Sequence, residues 1–525
     1  MRRTIALLLF CAAFTFGQVI PFEYELNPSR LSKSADKTPI SNTAERILIN
    51  GETVWIGTSK GLSKTIDKGN NWQNYFNTKE FEKEHISALG YGNGVIWSAT
   101  WHYEIIAGSA IPVGTGFKYS EDDGTTWKSV PQPVDQPGDS SIVYGINTLR
   151  ALPVTVPQQN FCYDIATTTN TIWSVNFAGG LRKSTNKGAT WQRVVLPPDN
   201  LNSIKPTDTL KFSLQPSAGK FGNESYLNHR AFSIYADNDN TIWVGTAGGI
   251  NKSTDGGTSW QKFNHTNQTK PISGNYILAI EKNEYDNSIW AAIWKAEGQT
   301  EDWGVSRTTD GGLTWDTFLL GERALDFAFK YYGPKGNYTG ADIIVATRNG
   351  LFRSANNGST WIALNSIVDL SSNIKLETNT FLAAETSRLN DGTTDFWIGT
   401  DNGLVYTNEK NSIWDGDWRI FLASGSSADA TESFAFPNPF SPNKEKIKIK
   451  FSLKEHSDVT IRILDFGMNL VKTVIQNASR SANEEQIEIW DGRDEFGSLV
   501  PNGVYFYRID KNSDKPIFGK IMVLM

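Results

Sequence analysis

One short phrase recurs seven times along this chain of 525 residues, and it constrains the fold more than any other feature. Its first copy reads Thr65-x-Asp67-x-Gly69-x-x-Trp72. The copies end, in order, at Trp72, Trp127, Trp191, Trp260, Trp315, Trp361 and, in a degenerate form, Trp418. A chain built of similar units buries its apolar residues by packing each unit against the next.

The distance between copies, roughly 45 to 70 residues, is too long for most helical solenoids and suits one four-stranded propeller blade with variable loops. In the second unit, strands are predicted at 85–89, 95–100, 116–120 and 127–130. Inner strands are predicted near Arg46, Ile165, Ile234, Ile280, Phe327 and Leu382 in the other units. We therefore predict an all-β fold with a seven-bladed β-propeller over residues 44–423.

The repeated phrase is explained as a tight turn. Its hydroxyl and carboxylate accept backbone N–H bonds, its glycines allow positive φ, and its Trp begins the next strand. Asn replaces Asp in the third and sixth copies, and Asn cannot act as an acid, a base or a strong cation ligand. We therefore predict structural roles, with no metal site and no cofactor. The structural positions are Asp67, Asp122, Asn186, Asp255, Asp310, Asn356, Trp72, Trp127, Trp191, Trp260, Trp315 and Trp361.

These repeats are similar to the Asp-box (BNR) repeats of sialidase-like, sortilin-type and xyloglucanase-type propellers. A second recurring piece, seen at 54–62, 242–250 and 396–404, resembles the blades of extracellular sensor propellers. Sialidases carry Arg-Ile-Pro before the first box, where this chain reads Arg46-Ile47-Leu48. Other arginines near the boxes are predicted on third strands, away from the central channel. The resemblance therefore implies the fold and does not imply sialidase activity.

Four long insertions are predicted on the face opposite the box turns, at residues 101–115, 131–160, 197–228 and 294–303. Aromatic and acidic side chains occur together there, a mixture that suits sugar stacking or glycosidase chemistry. The candidate ligand-binding residues are Trp101, His102, Tyr103, Trp294, Trp303, Tyr226 and Arg230. The candidate catalytic residues are Glu104, Glu297, Glu301 and Asp302. The competing interpretation is that the Trp rings cover the core and the acids are solvated.

The first residues predict secretion. Arg2-Arg3 and the apolar run 5–16 form a signal peptide over residues 1–18, too short to remain as a membrane span. An N-terminal segment, 19–43, follows, in which residues 22–26 are a possible edge strand. Cys162 is then the single cysteine of the mature chain, predicted as a buried strand thiol. The net charge of −6 and the lack of a basic tract argue against a nucleic-acid partner.

A polar linker is predicted at 424–434, followed by a small domain at 435–525. The pieces at 437–442, 490–494 and 502–508 resemble the C-terminal sorting domain of type IX (Por) secretion substrates, related to the immunoglobulin-like domain of flagellar hook-capping proteins. The resemblance implies a small immunoglobulin-like β-sandwich that engages outer-membrane secretion machinery in a Gram-negative-type bacterium. The chain ends in Met525, where such domains often end in a basic residue.

The sequence favours a secreted or surface-attached propeller that binds an extracellular glycan or protein without catalysis. One alternative is a glycoside hydrolase or lyase acting on extracellular polysaccharide. A second alternative is a sensor-type ectodomain.

Overall fold

The computed structural model describes residues 38–217, 219, 221–222, 226–295, 300–364, 366–372, 374–376, 378–410, 412–423, 433–453, 456–480, 485–511 and 516–525. These residues form strands and turns, which confirms the all-β prediction. The chain divides into two compact units, residues 1–423 and 424–525. Within the described ranges, no helix has the length and apolar character needed to cross a membrane. The predicted signal peptide and edge strand lie outside the described residues.

The described residues of the first unit form seven antiparallel sheets of four or five strands, called blades 1 to 7 in chain order, and two smaller sheets. Blade 1 comprises β1 (Ala44–Asn50), β2 (Thr53–Thr58), β3 (Gly61–Thr65) and β4 (Gln73–Tyr75). Blade 2 comprises β5 (His85–Gly92), β6 (Val95–Ile106), β7 (Ser109–Ser120) and β8 (Lys128–Val130), and is followed by β9 (Ser141–Tyr144) and β10 (Asn147–Ala151). Blade 3 comprises β11 (Cys162–Thr167), β12 (Ile172–Asn176), β13 (Gly180–Ser184) and β14 (Gln192–Arg193), and is followed by β15 (Ser203–Ile204) and β16 (Ser213–Leu214).

The remaining blades follow the same order. Blade 4 comprises β17 (Ala231–Ala236), β18 (Ile242–Thr246), β19 (Gly249–Ser253) and β20 (Trp260–Phe263). Blade 5 comprises β21 (Tyr276–Lys282), β22 (Ile289–Trp294), β23 (Gly304–Thr308) and β24 (Asp316–Phe318). Blade 6 comprises β25 (Ala324–Tyr332), β26 (Gly340–Thr347), β27 (Gly350–Ser354) and β28 (Ile362–Ala363), and is followed by β29 (Val368–Asp369) and β30 (Ile374–Lys375). Blade 7 comprises β31 (Phe381–Arg388), β32 (Thr394–Thr400), β33 (Gly403–Glu409) and β34 (Arg419–Phe421).

The blades form a closed ring. The first strand of each blade contacts the first strands of both neighbouring blades, and β31 contacts β1 to complete the circle. Four-stranded antiparallel sheets arranged in this way are consistent with a β-propeller. Because strand direction alternates, the second-to-third and blade-to-blade connections share one face, called the open face. The box turns lie on the opposite face, called the box face.

The box turns also join neighbouring blades. In six copies the residue after the Asp or Asn has φ between 53° and 76°, which turns its carbonyl out of the hairpin. In four copies that carbonyl accepts a hydrogen bond from a cation of the preceding blade. The pairs are Lys64 to Asp123 (2.6 Å), Lys252 to Gly311 (3.0 Å), Arg307 to Asn357 (3.0 Å) and Arg419 to Lys68 (2.8 Å). The last pair joins blade 7 to blade 1 and so helps to close the ring.

The box tryptophans pack across the same junctions. The ring of Trp127 lies nearly perpendicular to that of Trp55 in the preceding blade, with 5.8 Å between the ring centroids and 89° between the ring planes. Equivalent near-perpendicular pairs are Trp72 with Trp397, Trp315 with Trp243, and Trp361 with Trp290. Each pair adds roughly 0.5–1.5 kcal/mol to the burial of the two rings. The repeated Trp therefore stabilises the contact between blades as well as its own hairpin.

Two predictions about the insertions were wrong. The insertion at 101–115 is not a loop, because β6 and β7 continue as a hairpin that is paired as far as Ile106 and Ser109. The strands within two of the other insertions, at 141–151 and 203–214, run along the outside of blades 3 and 4: β10 pairs with β16, and β15 adds a fifth strand beside β20. Tyr144 Oη donates to Thr258 O, in the box turn of blade 4, at 2.8 Å. Their apolar side chains, Leu149 among them, bury against both blades and draw the segments away from the open face.

The described residues of the second unit form two sheets around one apolar core. One sheet comprises β35 (Ser433–Phe436), β36 (Ile447–Ser452) and β39 (Glu485–Trp490). The other comprises β37 (Ser457–Leu464), β38 (Leu470–Arg480), β40 (Gly503–Lys511) and β41 (Ile517–Val523). The predicted linker was too long at its C-terminal end, because β35 begins at Ser433 and pairs with β36.

Candidate functional site

A row of aromatic rings, each in contact with the next, crosses the open face from blade 2 to blade 5. Its members, called the aromatic arc, are Trp101, Phe161, Tyr163, Phe232 and Tyr276. Successive ring centroids are separated by 5.0, 4.3, 5.1 and 4.9 Å, close to the separations that aromatic pairs prefer. Trp101 and Phe161 are stacked, whereas Tyr163 and Phe232 meet edge to face. Four of the rings are half-buried, and Phe232 is buried. The arc therefore presents a partly accessible apolar surface that spans four blades.

Local backbone irregularities place two of these rings. The first strand of every blade begins with a register shift, which leaves one residue without a direct partner on the second strand. In blades 3 and 4 the extra residues are Tyr163 and Phe232. A bulge of this kind redirects a side chain out of the regular alternation. The two rings consequently meet each other across the blade junction rather than packing within their own sheets.

The predicted residues of blade 2 lie at the start of the arc. Tyr103 is 54% exposed and packs its ring against Trp101 at 4.7 Å. His102 Nδ1 lies 3.1 Å from the buried carboxylate of Glu84, and its Nε2 lies 3.5 Å from Glu104. Glu84 also accepts a hydrogen bond from Thr115. The imidazole is thus held between two carboxylates beside an open depression of about 480 Å³ that Glu84 and His102 help to line.

Tyr226 and Arg230 join the arc indirectly. The Arg230 guanidinium lies over Phe177 at 4.7 Å and over Tyr226 at 5.1 Å. Phe177 in turn contacts Phe232 of the arc at 6.1 Å. Arg230 Nε donates to Pro216 O at 2.6 Å, which fixes the guanidinium in this position.

The predicted residues of blade 5 form a second group next to the end of the arc. Trp294 is the direct strand partner of Tyr276, and its Nε1 donates to Ala324 O of blade 6 at 2.9 Å. Trp303 lies under the Lys295 ammonium at 4.4 Å. Both indoles are half-buried. The two predicted aromatic loops therefore occupy one stretch of the open face, from blade 2 to blade 6.

The predicted catalytic carboxylates are not brought together. Glu104 belongs to blade 2, whereas Glu301 and Asp302 belong to blade 5, three positions along the ring. The Glu301 side chain is buried and accepts hydrogen bonds from the backbone N and the Nδ2 of Asn275. Asp302 is exposed, which agrees with the competing interpretation that these acids are solvated. Glu297 lies outside the described residues.

The sequence interpretation missed a group of acids on the inner strands. They are Glu45, Asp164, Glu281, Asp326 and Glu385, and Arg46 is the cation among them. Burial raises the pKa of Asp164 and of Asp326 to about 6, and that of Glu385 to about 8. Asp164 Oδ2 accepts from Ile234 N at 2.9 Å, and Asp326 Oδ2 accepts from Ala384 N at 3.1 Å.

These two hydrogen bonds give the acids a structural role, because each joins one inner strand to the backbone of the next blade. No group of three or more His, Cys, Asp or Glu residues in the described part of the chain is arranged to hold a metal ion. An acid on an inner strand looks in sequence like any other polar residue of a strand. Only the ring brings acids from five blades together.

Comparison with known proteins supports the fold. No protein-family model and no curated protein matches this sequence. Among solved structures, an ancestral GH74 enzyme is similar over 93% of this chain, with 14% identity and a TM-score of 0.51; this chain covers 63% of that enzyme. Ycf48 from Cyanidioschyzon merolae is 14% identical, with a TM-score of 0.40, over 70% of this chain and 96% of its own.

The extracellular domain of BT4673 from B. thetaiotaomicron is 12% identical, with a TM-score of 0.29, over 92% of this chain and 80% of its own. At these identities, the likeness to the GH74 enzyme shows the propeller fold alone.

Proposed function

We propose that this chain is a secreted or cell-surface-attached propeller that binds an extracellular glycan or protein on its open face without catalysis. The observation that carries the proposal is the aromatic arc, in which five rings from four blades contact one another in one row. An aromatic side chain that serves only the core packs within its own blade and against the next one. A row that extends across four blades supports contact with an extended ligand, since sugar rings and apolar side chains both pack on aromatic faces.

The arc combines apolar surface with nearby polar groups that can orient a bound ligand. Tyr103, Tyr163 and Tyr276 each carry a hydroxyl, and Arg230 lies one ring away. Ligand sites of this composition gain most of their affinity from aromatic burial and their specificity from a few polar contacts. The surrounding blades hold the arc in place because four of its rings belong to blade strands and Phe161 directly precedes β11.

Export is the second part of the proposal. The signal peptide at 1–18 is expected to direct the chain across the inner membrane, and the immunoglobulin-like domain at 435–525 to engage outer-membrane secretion machinery. Cell fractionation of the native protein and of a chain truncated after residue 423 tests this part. Equal export of both chains would contradict it.

A glycoside hydrolase or lyase is a second candidate, favoured by one arrangement. The Glu84–His102–Glu104 row places an imidazole between a buried and a half-exposed carboxylate at the edge of a depression. Such a row places His102 Nε2 beside Glu104, a geometry that general acid–base chemistry can use. Release of reducing or unsaturated sugar ends by the purified chain, abolished in Glu104→Gln, would establish it. The sensor-ectodomain alternative gains no separate support from the described residues.

The proposed binding function is tested by screening the purified full chain against arrays of extracellular glycans and of peptides. We expect retention of an extended ligand that protects the arc from solvent, measured as reduced oxidation of Trp101 in footprinting. A ligand that protects the box face and leaves Trp101 unprotected would contradict the proposal.

A further inference from the structure

The junction of blades 5 and 6 on the open face carries three cationic side chains stacked on two indoles. The Arg323 guanidinium lies 5.8 Å from the ring centroid of Trp294 and 4.8 Å from that of Trp303. The Arg348 guanidinium lies 5.2 Å from the same Trp294 ring, and the Lys295 ammonium lies 4.4 Å from Trp303. The group is called the cation cluster and consists of Lys295, Arg323, Arg348, Trp294 and Trp303.

The backbone fixes this arrangement. Arg323 directly precedes β25 and Arg348 directly follows β26, two neighbouring strands of blade 6. Arg348 N donates to Arg323 O at 3.1 Å, which holds the two residues side by side. Trp294 is held against the same strand end by its hydrogen bond to Ala324 O. Both arginines are exposed, whereas Lys295 is half-buried. The two arginines therefore lie side by side at the Trp294 ring, and Lys295 follows Trp294 directly in the chain.

The charges of the cluster are not neutralised within the described residues. None of its three cations has a carboxylate oxygen of a described residue within 4.0 Å. The nearby Glu322 accepts a hydrogen bond from Asn349 instead. Like charges held close together repel one another, and stacking on indoles recovers only about 0.5–1 kcal/mol per cation at an exposed site. A convergent cationic group that no carboxylate of the described residues pairs, in a chain of net charge −6, is explained best by an anionic ligand.

We infer that the cation cluster binds the carboxylate or sulfate groups of an anionic polysaccharide that extends along the aromatic arc. This inference rests on the proposed binding function and specifies its ligand class. Tyr276, the last ring of the arc, is the strand partner of Trp294, so arc and cluster are continuous. Guanidinium groups match the planar geometry of carboxylate and sulfate oxyanions, and the arc supplies stacking surfaces for successive sugar rings. An acidic peptide would use the cluster but has less use for a row of ring faces.

The test compares binding of defined probes to the full chain and to charge variants. The probes are polygalacturonate oligosaccharides for the carboxylate, dextran sulfate for the sulfate, dextran for a neutral glycan and poly-glutamate for an acidic peptide. The test variant is Arg323→Gln/Arg348→Gln. The matched control is Lys60→Gln/Lys79→Gln, which removes the same charge from two exposed lysines in connections of the open face near blade 1.

We expect the arginine variant to lose about tenfold or more in affinity for one of the two anionic glycans, and the control less than about twofold. The loss should diminish with added salt, because salt screens exposed charges. Binding of dextran should be the same in all three proteins. Whichever anionic glycan loses affinity identifies the oxyanion as carboxylate or sulfate.

Four results would overturn the inference. Equal loss in the arginine and lysine variants would show non-specific charge attraction. Equal binding of poly-glutamate and the anionic glycans would assign the cluster to acidic peptides. If the wild type binds dextran as tightly as both anionic probes, and the arginine variant binds all three equally well, the ligand need not be anionic. That result would leave the proposed glycan-binding function intact. Failure of the wild type to bind any glycan or peptide probe would overturn both.

Discussion

Arg353 and Glu409 form a two-point ion pair in which both side chains are fully buried, with distances of 2.7 Å (Nη1 to Oε2) and 2.8 Å (Nη2 to Oε1). Arg353 belongs to the third strand of blade 6 and Glu409 to the third strand of blade 7. Asp342 and Lys330 complete the network from blade 6. Burial disfavours the charge on Glu409, yet the hydrogen bonds from Arg353 hold its pKa below the usual value.

Removal of one member should be costly, since it leaves the others buried without a partner. We expect Arg353→Met to lower the free energy of unfolding by roughly 3–5 kcal/mol. Lys128→Gln, which removes the exposed pair with Glu121, should change it by less than about 1 kcal/mol. Urea unfolding followed by tryptophan fluorescence measures both. Equal stability of Arg353→Met and the wild type would show that the network does not hold blades 6 and 7 together.

The box turns should tolerate Asn but not Ala. Asp255 Oδ1 accepts from Ser253 Oγ and Ser259 N, and in the third copy Asn186 Oδ1 accepts from the equivalent groups. Asp255→Asn should therefore change stability by less than about 0.5 kcal/mol at neutral pH, while Asp255→Ala should cost about 1–2 kcal/mol. A large loss in the Asn variant, seen in the urea midpoint, would mean that the charge itself is required.

The inner-strand acids should make the chain more stable at mildly acidic pH. Burial raises the pKa of Asp326 to about 6, against the opposing effects of its hydrogen bond from Ala384 and of Arg46. A raised carboxyl pKa favours the protonated form in the folded state. Its stabilising contribution is complete below the unfolded pKa near 4 and is lost as pH rises through about 6.

Asp326→Asn removes this titration and keeps an oxygen that can accept from Ala384. Relative to wild type, we expect the variant to gain roughly 1–3 kcal/mol at pH 7.5 and almost nothing at pH 4. Thermal unfolding across this pH range gives the comparison. Asp164, Glu281 and Glu385 titrate in the same region of the ring, so the wild-type pH dependence should shrink without disappearing. Parallel pH profiles of variant and wild type would refute the assignment.

Ring closure should depend on Arg419. Its Nη1 donates to Lys68 O and its Nη2 to Asn70 Oδ1, across the junction of blades 7 and 1. Arg419→Gln should cost roughly 1 kcal/mol and speed amide hydrogen exchange in β1–β4 and β31–β34, with little change in blade 4. Lys60→Gln serves as the control. Uniformly faster exchange in all blades would indicate global destabilisation instead of local opening of the ring.

The blades were predictable because each is marked by a turn whose residues act locally. Thr65, Asp67 and Gly69 bond one another within five positions, so the sequence alone records the contact. The candidate site was only partly predictable. Trp101 was recognised, but its stacking on Phe161 joins residues of different blades, and the pairing of His102 with Glu84 depends on a blade-to-blade connection. Such contacts depend on the ring, and no local pattern encodes them.

Binding of the screened ligand by a variant of the aromatic arc tests the account most directly. Trp101→Ala/Phe161→Ala removes two stacked rings of the open face, and Tyr285→Ala removes a 40% exposed ring from the turn between β21 and β22, on the box face. We predict that titration calorimetry shows at least about a tenfold loss of affinity in the arc variant, because each lost stacking contact costs on the order of 1 kcal/mol, and no loss in Tyr285→Ala. Wild-type affinity in a folded arc variant would contradict the claim that the open face of this propeller is its binding surface.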